Sequence, residues 1–295
     1  MPLQPKPTPQ IPDSVLQSFS LKGKVAVITG GGTGIGYQVA RAYAEAGADV
    51  ALFYNSSSKA IDLAKGLEKE FGVKSKAYKV PVTDSKIVTE SIEQVEKDFG
   101  RLDIFVANAG TGGGGPVTEM TDEQWHRVID VNYNSVFYCA RAAGRIFKKQ
   151  GYGNFIVTSS MSAHIVNRPI TQATYNGTKA AVTHFAKSLA YEWKDFARVN
   201  IVSPGFFDTD MGAAPEVLDV AFDTAVLGRQ GNTKELKGIY LYLASDASTF
   251  TTGSGESLFA AFWIALLFVC LFFSPINGCH VALFFGDLMS RNAEF

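Results

Sequence analysis

From Lys24 onward, short apolar runs alternate with longer stretches in which apolar residues recur every three or four positions. The first run, "KVAVITG" (24–30), ends in glycine, and "YQVARAYAEAG" (37–47) has the spacing of one helix face, with Gly47 as a stop. The strand pattern returns in "DVALFYN", "KSKAYKV", "LDIFVAN", "NFIVTSS" and "RVNIVSPG", starting at 49, 74, 102, 154 and 198. Helical stretches separate these runs, so six strands alternate with helices. That order predicts an α/β fold, a doubly wound parallel sheet in a single domain over residues 21–253, with right-handed crossovers. Ligands then sit at the strand C-termini.

The two ends break the pattern. Residues 1–20 carry prolines at 2, 5, 7, 9 and 12 and no apolar run, which predicts a flexible arm and neither a signal nor a transit peptide. Residues 254–295 form an atypical apolar tail, in which Leu258–Phe273 is an unbroken apolar run of sixteen residues. A transmembrane helix needs roughly 20, and no basic cluster flanks the run to orient it. Three readings are open, in order of preference: an intron read-through, since "GES" (255–257) can be encoded by a splice-donor sequence; a membrane anchor; or "VALFF" (281–285) as an edge strand.

Composition narrows the function. Charges nearly cancel, 27 basic against 28 acidic, which removes the electrostatic footprint of a nucleic-acid partner and leaves a small-molecule substrate as the expectation. Membrane association is expected only if the 258–273 run inserts. Cysteines at 139, 270 and 279 make neither a disulfide framework nor a metal site, and a reducing, cytoplasmic location fits. His126, His164, His184 and His280 lack metal-ligand spacing, so no metal is expected.

"TGGGTGIG" (29–36) joins the first strand to the first helix, the context in which a glycine turn cradles a dinucleotide phosphate. Gly30 permits the turn, Gly34 lets backbone N–H groups approach a pyrophosphate, and Gly36 lets helix and sheet pack closely. The second strand ends in "FYNSSSK", without the carboxylate that would bind a ribose 2′-hydroxyl. Asn55, Ser56 and Ser57, with Lys59 nearby, suit a 2′-phosphate, so NADP(H) is the expected cofactor. "YNGTK" (175–179) puts Tyr175 and Lys179 one helical turn apart, where an ammonium can lower a phenol pKa and make proton transfer feasible.

Taken together, "TGGGTGIG", "NAG" (108–110), "DVN" (130–132), "SS" (159–160), "YNGTK" and "SPG" (203–205) resemble the short-chain dehydrogenase/reductases, in that family's order. The resemblance is continuous with the fungal-type NADP-dependent sorbose, mannitol and carbonyl reductases, through "DVALFYNSSS", "TSSMSAHIVNRP" and "FARVNIVSPGFFDTDM". It implies a Rossmann fold, a homotetramer, and hydride transfer between NADP(H) and a ketose or polyol, with a broader carbonyl reductase as the neighbouring reading. A cofactor-binding, catalytically impaired membrane-tethered relative, or a lipid reductase held at a membrane, stays open through the tail.

By that resemblance Tyr175 is the general acid or base, Lys179 holds the nicotinamide ribose, Ser160 binds the substrate oxygen and Asn132 anchors a water relay. Ser162 rivals Ser160, which is preferred because the subgroup's loop before the tyrosine is longer. Ile35, Asn108, Pro204, Gly205, Phe207 and Thr209 join Gly30, Gly34, Gly36, Asn55, Ser56, Ser57, Tyr175 and Lys179 as cofactor contacts. Pro81 departs from the family's acidic or amide residue at the adenine, shifting that contact to backbone or Val82, and Phe207 replaces a smaller aliphatic residue. His164, between Ser160 and Tyr175, is placed where a substrate hydroxyl could meet it. "TGGGG" (111–115) reads as a mobile loop and Phe206–Leu227 as a lid. The family's seventh strand is expected to be missing, leaving the sixth with an open edge.

Overall fold

The computed structural model describes residues 9–258 apart from 114, 210, 213–216, 219–221 and 223–224. All six expected strands form: β1 Val25–Thr29, β2 Asp49–Tyr54, β3 Ser75–Lys79, β4 Ile104–Ala107, β5 Asn154–Thr158 and β6 Arg198–Pro204. A seventh, β7 Gly255–Leu258, completes a parallel sheet of order β3-β2-β1-β4-β5-β6-β7. The helices are α1 Val15–Ser18, α2 Gly34–Glu45, α3 Lys59–Phe71, α4 Ser85–Phe99, α5 Asp122–Ile129, α6 Ser135–Gln150, α7 Ala173–Glu192 and α8 Lys237–Ala244. Strand order reverses direction at β1, so a crevice opens between the C-terminal ends of β1 and β4.

Both faces of the sheet are covered, which is why β1, β4 and β5 are buried along their whole length. On one face Val25, Val27, Phe53, Phe105, Phe155 and Val157 pack against α4, α6 and α7. On the other, Ala26, Ile28, Leu52, Ile104, Val106 and Ile156 pack against α2, α3 and α8. The alternation follows the two-residue period of a strand. Phe155 is fully buried, stacked on Phe105 at 5.4 Å and edge-on to Trp193 at 5.7 Å.

The end of β1 opposite the crevice is pinned by a buried carboxylate. Asp103 accepts from the Val25 N–H at 2.9 Å and from Arg101 Nε and Nη2 at 2.7 and 2.6 Å. Its backbone continues the tie, accepting from Asn154 N at 2.9 Å, so β1, β4 and β5 start in register.

The expectation of a missing seventh strand is overturned. Gly255–Leu258 runs parallel to β6, with Ile201 opposite Gly255 and Pro204 opposite Leu258. The preceding turn brings it there: Gly253 N donates to Val199 O at 2.7 Å, Val199 N to Thr252 Oγ1 at 3.1 Å, and Ser254 N to Asn200 Oδ1 at 3.2 Å. Strand pairing uses backbone groups, so it starts correctly even though the side chains beyond Ser254 change character. The read-through, anchor and "VALFF" readings concern residues 259–295 and lie outside the described residues. Among the described residues no helix is long and apolar enough to cross a membrane. Residues 9–20 of the arm contain the short helix α1, and Leu21 behind it is buried, its N–H donating to Ala46 O at 2.9 Å.

Phe155→Ala should destabilise the protein by about 3–5 kcal/mol, because a cavity is left between Phe105 and Trp193. Urea unfolding would register this as a lower midpoint at an unchanged slope.

Candidate active site

A cleft of about 500 Å³ starts at the glycine turn, passes Asn108–Gly110, and ends among Ser160, Tyr175, Lys179 and the loop after β6. Its floor is the β1/β4 junction. Thr29 Oγ1 accepts from the N–H groups of Asn108 and Ala109, both at 2.9 Å, and Asn108 Nδ2 donates to Thr29 O at 3.0 Å. Gly30 turns the chain at φ +64°, and a Cβ on Gly36 would lie 2.3 Å from Gly30 O and 2.6 Å from Asn108 Nδ2. Gly36 is therefore buried beneath the turn as a packing glycine, while Gly30, Gly34 and Ile35 line the cleft.

The N-terminus of α2 has no side-chain cap from Thr33 and no acidic residue in its first turn. Its leading N–H groups and its dipole suit an anion. Beside it, Gly31 N donates to Phe53 O at 3.1 Å, and a Cβ on Gly32 would lie 3.0 Å from Ala60 Cβ, so the glycine turn abuts the end of β2. Asn55 and Ser56 are exposed there and Ser57 is half-buried, outside the cleft itself but next to its glycine end. Pro81 O accepts from Asp84 N at 3.0 Å, which leaves its second lone pair for a further donor.

At the other end, α7 presents Tyr175 in its first turn and Lys179 one turn later. Ser160 lines the cleft beside Tyr175, near enough to its hydroxyl to lower the phenol pKa. Lys179 is 3% exposed, its Nζ donates to Thr158 O at 3.0 Å, and it stands 5.6 Å from the centre of the Tyr175 ring. Burial pushes the ammonium down to a pKa of about 8. Burial also raises the Tyr175 phenol, and the neighbouring Ser160 hydroxyl only partly opposes it. The sequence expectation of a phenol lowered by its lysine is thus not met here: burial of the phenol outweighs its neighbours, and Lys179, 5.6 Å from the ring centre, is still an ammonium at neutral pH. A phenol in this state stays protonated at neutral pH and can act as an acid.

Asn132 does not line the cleft; it sits just behind, in a π-helical turn, Asp130–Asn134, that joins α5 to α6. Its Oδ1 accepts from Thr111 N at 2.8 Å, and its Nδ2 donates to Thr111 O at 3.0 Å and to Thr178 Oγ1 at 3.2 Å. A Cβ on Gly110 would be 3.5 Å from Asn132 Oδ1 and 3.7 Å from Lys179 Nζ, so amide and amine converge on one glycine. The loop expected to be mobile is tied at both ends, through Thr111 to Asn132 and through Gly115 N to Thr171 O at 2.8 Å. Pro204, Gly205, Phe207 and Thr209 line the far wall, and part of the expected lid, 210, 213–216, 219–221 and 223–224, lies outside the described residues. Phe207 has room because residue 231 is glycine: a Cβ there would meet its ring at 2.4 Å.

His164 is not among the residues that line the cleft, and its Nε2 lies 3.2 Å from Ser203 Oγ. Sequence reasoning missed Thr29 and Thr178, whose hydroxyls act on residues far along the chain with no local spacing to reveal them, and the polar pair Asn167 and Gln172 on the cleft wall.

A family model described as enoyl-(acyl carrier protein) reductase, of the short-chain dehydrogenase type, matches residues 30–256, most of the chain. The chain belongs to the short-chain dehydrogenase/reductase family. Among its relatives, the sorbose reductase of Candida albicans is 53% identical over 259 residues, covering 85% of this chain and 92% of that one. A probable NADP-dependent mannitol dehydrogenase of Yarrowia lipolytica is 50% identical over 254 residues, covering 85% and 91%. The crystal structure of an NADPH-dependent 3-quinuclidinone reductase from Rhodotorula rubra superposes with a TM-score of 0.84 at 55% identity, covering 86% of this chain and 96% of that one.

The Lys179 pKa gives a stability prediction. Its folded value lies below its unfolded one, so the penalty for burying the ammonium is complete below pH about 8 and fades as pH rises towards about 10.4. Relative to Lys179→Met, the protein should gain about 2 kcal/mol between pH about 7.5 and 9.5, measured by urea unfolding of both proteins at each pH.

Proposed function

We propose that this protein is an NADP(H)-dependent alcohol dehydrogenase that interconverts a ketose and a polyol, of the sorbose, fructose/mannitol or xylulose type. The observation that carries the reading is the convergence of Ser160, Tyr175 and buried Lys179 at the end of a cleft that begins on an uncapped helix N-terminus. The relatives' names narrow the substrate class.

The residues fit the cofactor. The N–H groups at the start of α2, with Gly30, Gly34 and Ile35, would hold the pyrophosphate, and Gly36 lets them approach it. Asn55, Ser56 and Ser57 would take the 2′-phosphate. Lys179 has N–H groups beyond the one given to Thr158 O, and these would hold the nicotinamide ribose. Asn108, Pro204, Gly205, Phe207 and Thr209 would border the nicotinamide half. When bound, the cofactor supplies or receives the hydride.

In carbonyl reduction Tyr175 donates its phenolic proton to the substrate oxygen while Ser160 hydrogen-bonds that oxygen, so the charge developing there is met by two donors. Lys179 and a water held from Asn132 return a proton to the phenolate from solvent. In alcohol oxidation the same groups run in reverse, with Tyr175 as base. Ser160 is assigned this role over Ser162 because it is the serine near enough to the Tyr175 hydroxyl to lower the phenol pKa.

A broader carbonyl reductase is the second reading, favoured by the likeness to the Rhodotorula rubra enzyme, whose named substrate is a bicyclic ketone. A homo-oligomer in the cytoplasm is part of the proposal. The partly exposed rings of Phe137 and Phe185, in edge contact on α6 and α7, offer a face that a second copy would cover.

Tyr175→Phe should lower kcat for ketose reduction by about 10²–10⁴-fold while the NADPH Kd, followed by fluorescence titration, changes by less than about threefold. A wild-type protein that oxidises no NADPH with ketohexoses or ketopentoses would overturn the reading. Asn55→Asp, placing a carboxylate at the end of β2, should shift the ratio of kcat/KM for NADPH over NADH towards NADH by at least about tenfold.

A further inference from the structure

Ser162 lies on the short helical turn Met161–Ala163 that follows β5, and its N–H donates to Ser160 Oγ at 3.1 Å. It therefore shares a turn with the residue proposed to bind the reacting oxygen. Its own hydroxyl accepts from Asn167 Nδ2 at 2.8 Å and from Gln172 Nε2 at 3.2 Å. A serine hydroxyl has two lone pairs and one proton. Two amide donors occupy the lone pairs, and among the described residues the proton has no acceptor. Asn167 is 3% exposed and its Oδ1 is buried without a partner, so the cluster is held out of water with hydrogen-bonding capacity unspent. Ser160, Ser162, Asn167, Gln172 and Tyr175 all line the same cleft.

A polar wall of this kind beside the proton donor is costly for a plain ketone, which cannot engage it, and suits a substrate with oxygen next to the reacting carbonyl. From this geometry, and resting on the ketose/polyol reading above, we infer that Ser162, oriented by Asn167 and Gln172, is a specificity residue that donates its proton to the hydroxyl oxygen adjacent to the carbonyl of an α-hydroxy ketone. The two amides fix the hydroxyl as a donor, so the oxygen it meets must accept. Gln172, half-buried at the N-cap of α7, couples the cluster to the helix that carries Tyr175.

The test compares a ketohexose and a simple cyclic ketone as substrates of the full chain with NADPH, in wild type, Ser162→Ala, Ser162→Thr and Gln172→Met. In Ser162→Ala the loss of kcat/KM for the ketohexose should exceed the loss for the cyclic ketone by about 10–100-fold, mostly through KM. Ser162→Thr, which keeps the hydroxyl, should restore most of the preference, and Gln172→Met should give an intermediate loss. Equal losses on ketohexose and cyclic ketone, or none on either, would overturn this inference and leave the proposed activity standing. A wild type that turns over neither would instead remove the activity on which it rests.

Discussion

Everything in the site hangs on the junction between β1 and β4, where the chain's order in the sheet reverses. Two strands that lead their connections away to opposite sides leave a crevice between their ends, and something must hold that crevice open at a fixed width. Thr29 does so with one hydroxyl, accepting from two successive N–H groups after β4 while Asn108 returns a bond to Thr29 O. The glycine turn then starts from a fixed point. Because Gly36 has no side chain, α2 can seat its first turn against that staple. A dinucleotide site needs N–H groups aimed at one place, and this junction supplies the place.

The opposite end of the cleft is organised by burial. Lys179 and Tyr175 are both moved from their ordinary pKa values chiefly by loss of water, the amine downward and the phenol upward. Burial thus keeps the proton on the phenol, while an amine with a pKa of about 8 is still an ammonium at neutral pH. Thr158 O gives Lys179 one acceptor, and Asn132 lies close by through Gly110. The groups that would move a proton are thus assembled from β5, α7 and the π-helical turn before α6, three elements that meet only in the folded chain.

The far edge of the sheet shows how backbone and side-chain information can part. Side-chain character changes beyond Ser254, and on that ground a seventh strand is not expected. Pairing is nevertheless carried by main-chain groups, and the turn at Thr252–Ser254 delivers Gly255 opposite Ile201 through bonds that place few demands on the side chains after Ser254. β6 is therefore covered along Ile201–Pro204. A register can be set before the chain reaches the residues whose composition argues against a strand.

The sequence by itself determined the six alternating strands, their parallel order and the glycine turn, because each is encoded by short-range periodicity or by residues within one turn of each other. Tyr175 and Lys179 were legible for the same reason, since four residues on a helix make neighbours. Tertiary structure alone decided the rest. That the Ser162 hydroxyl is held by two amides depends on Asn167 and Gln172 folding back onto it between β5 and α7. That the His164 ring meets Ser203 depends on another strand, and the direction of the Tyr175 shift depends on how much water the packed elements exclude. Contacts between distant positions and the loss of solvent are properties of the packed chain, and no local pattern carries them.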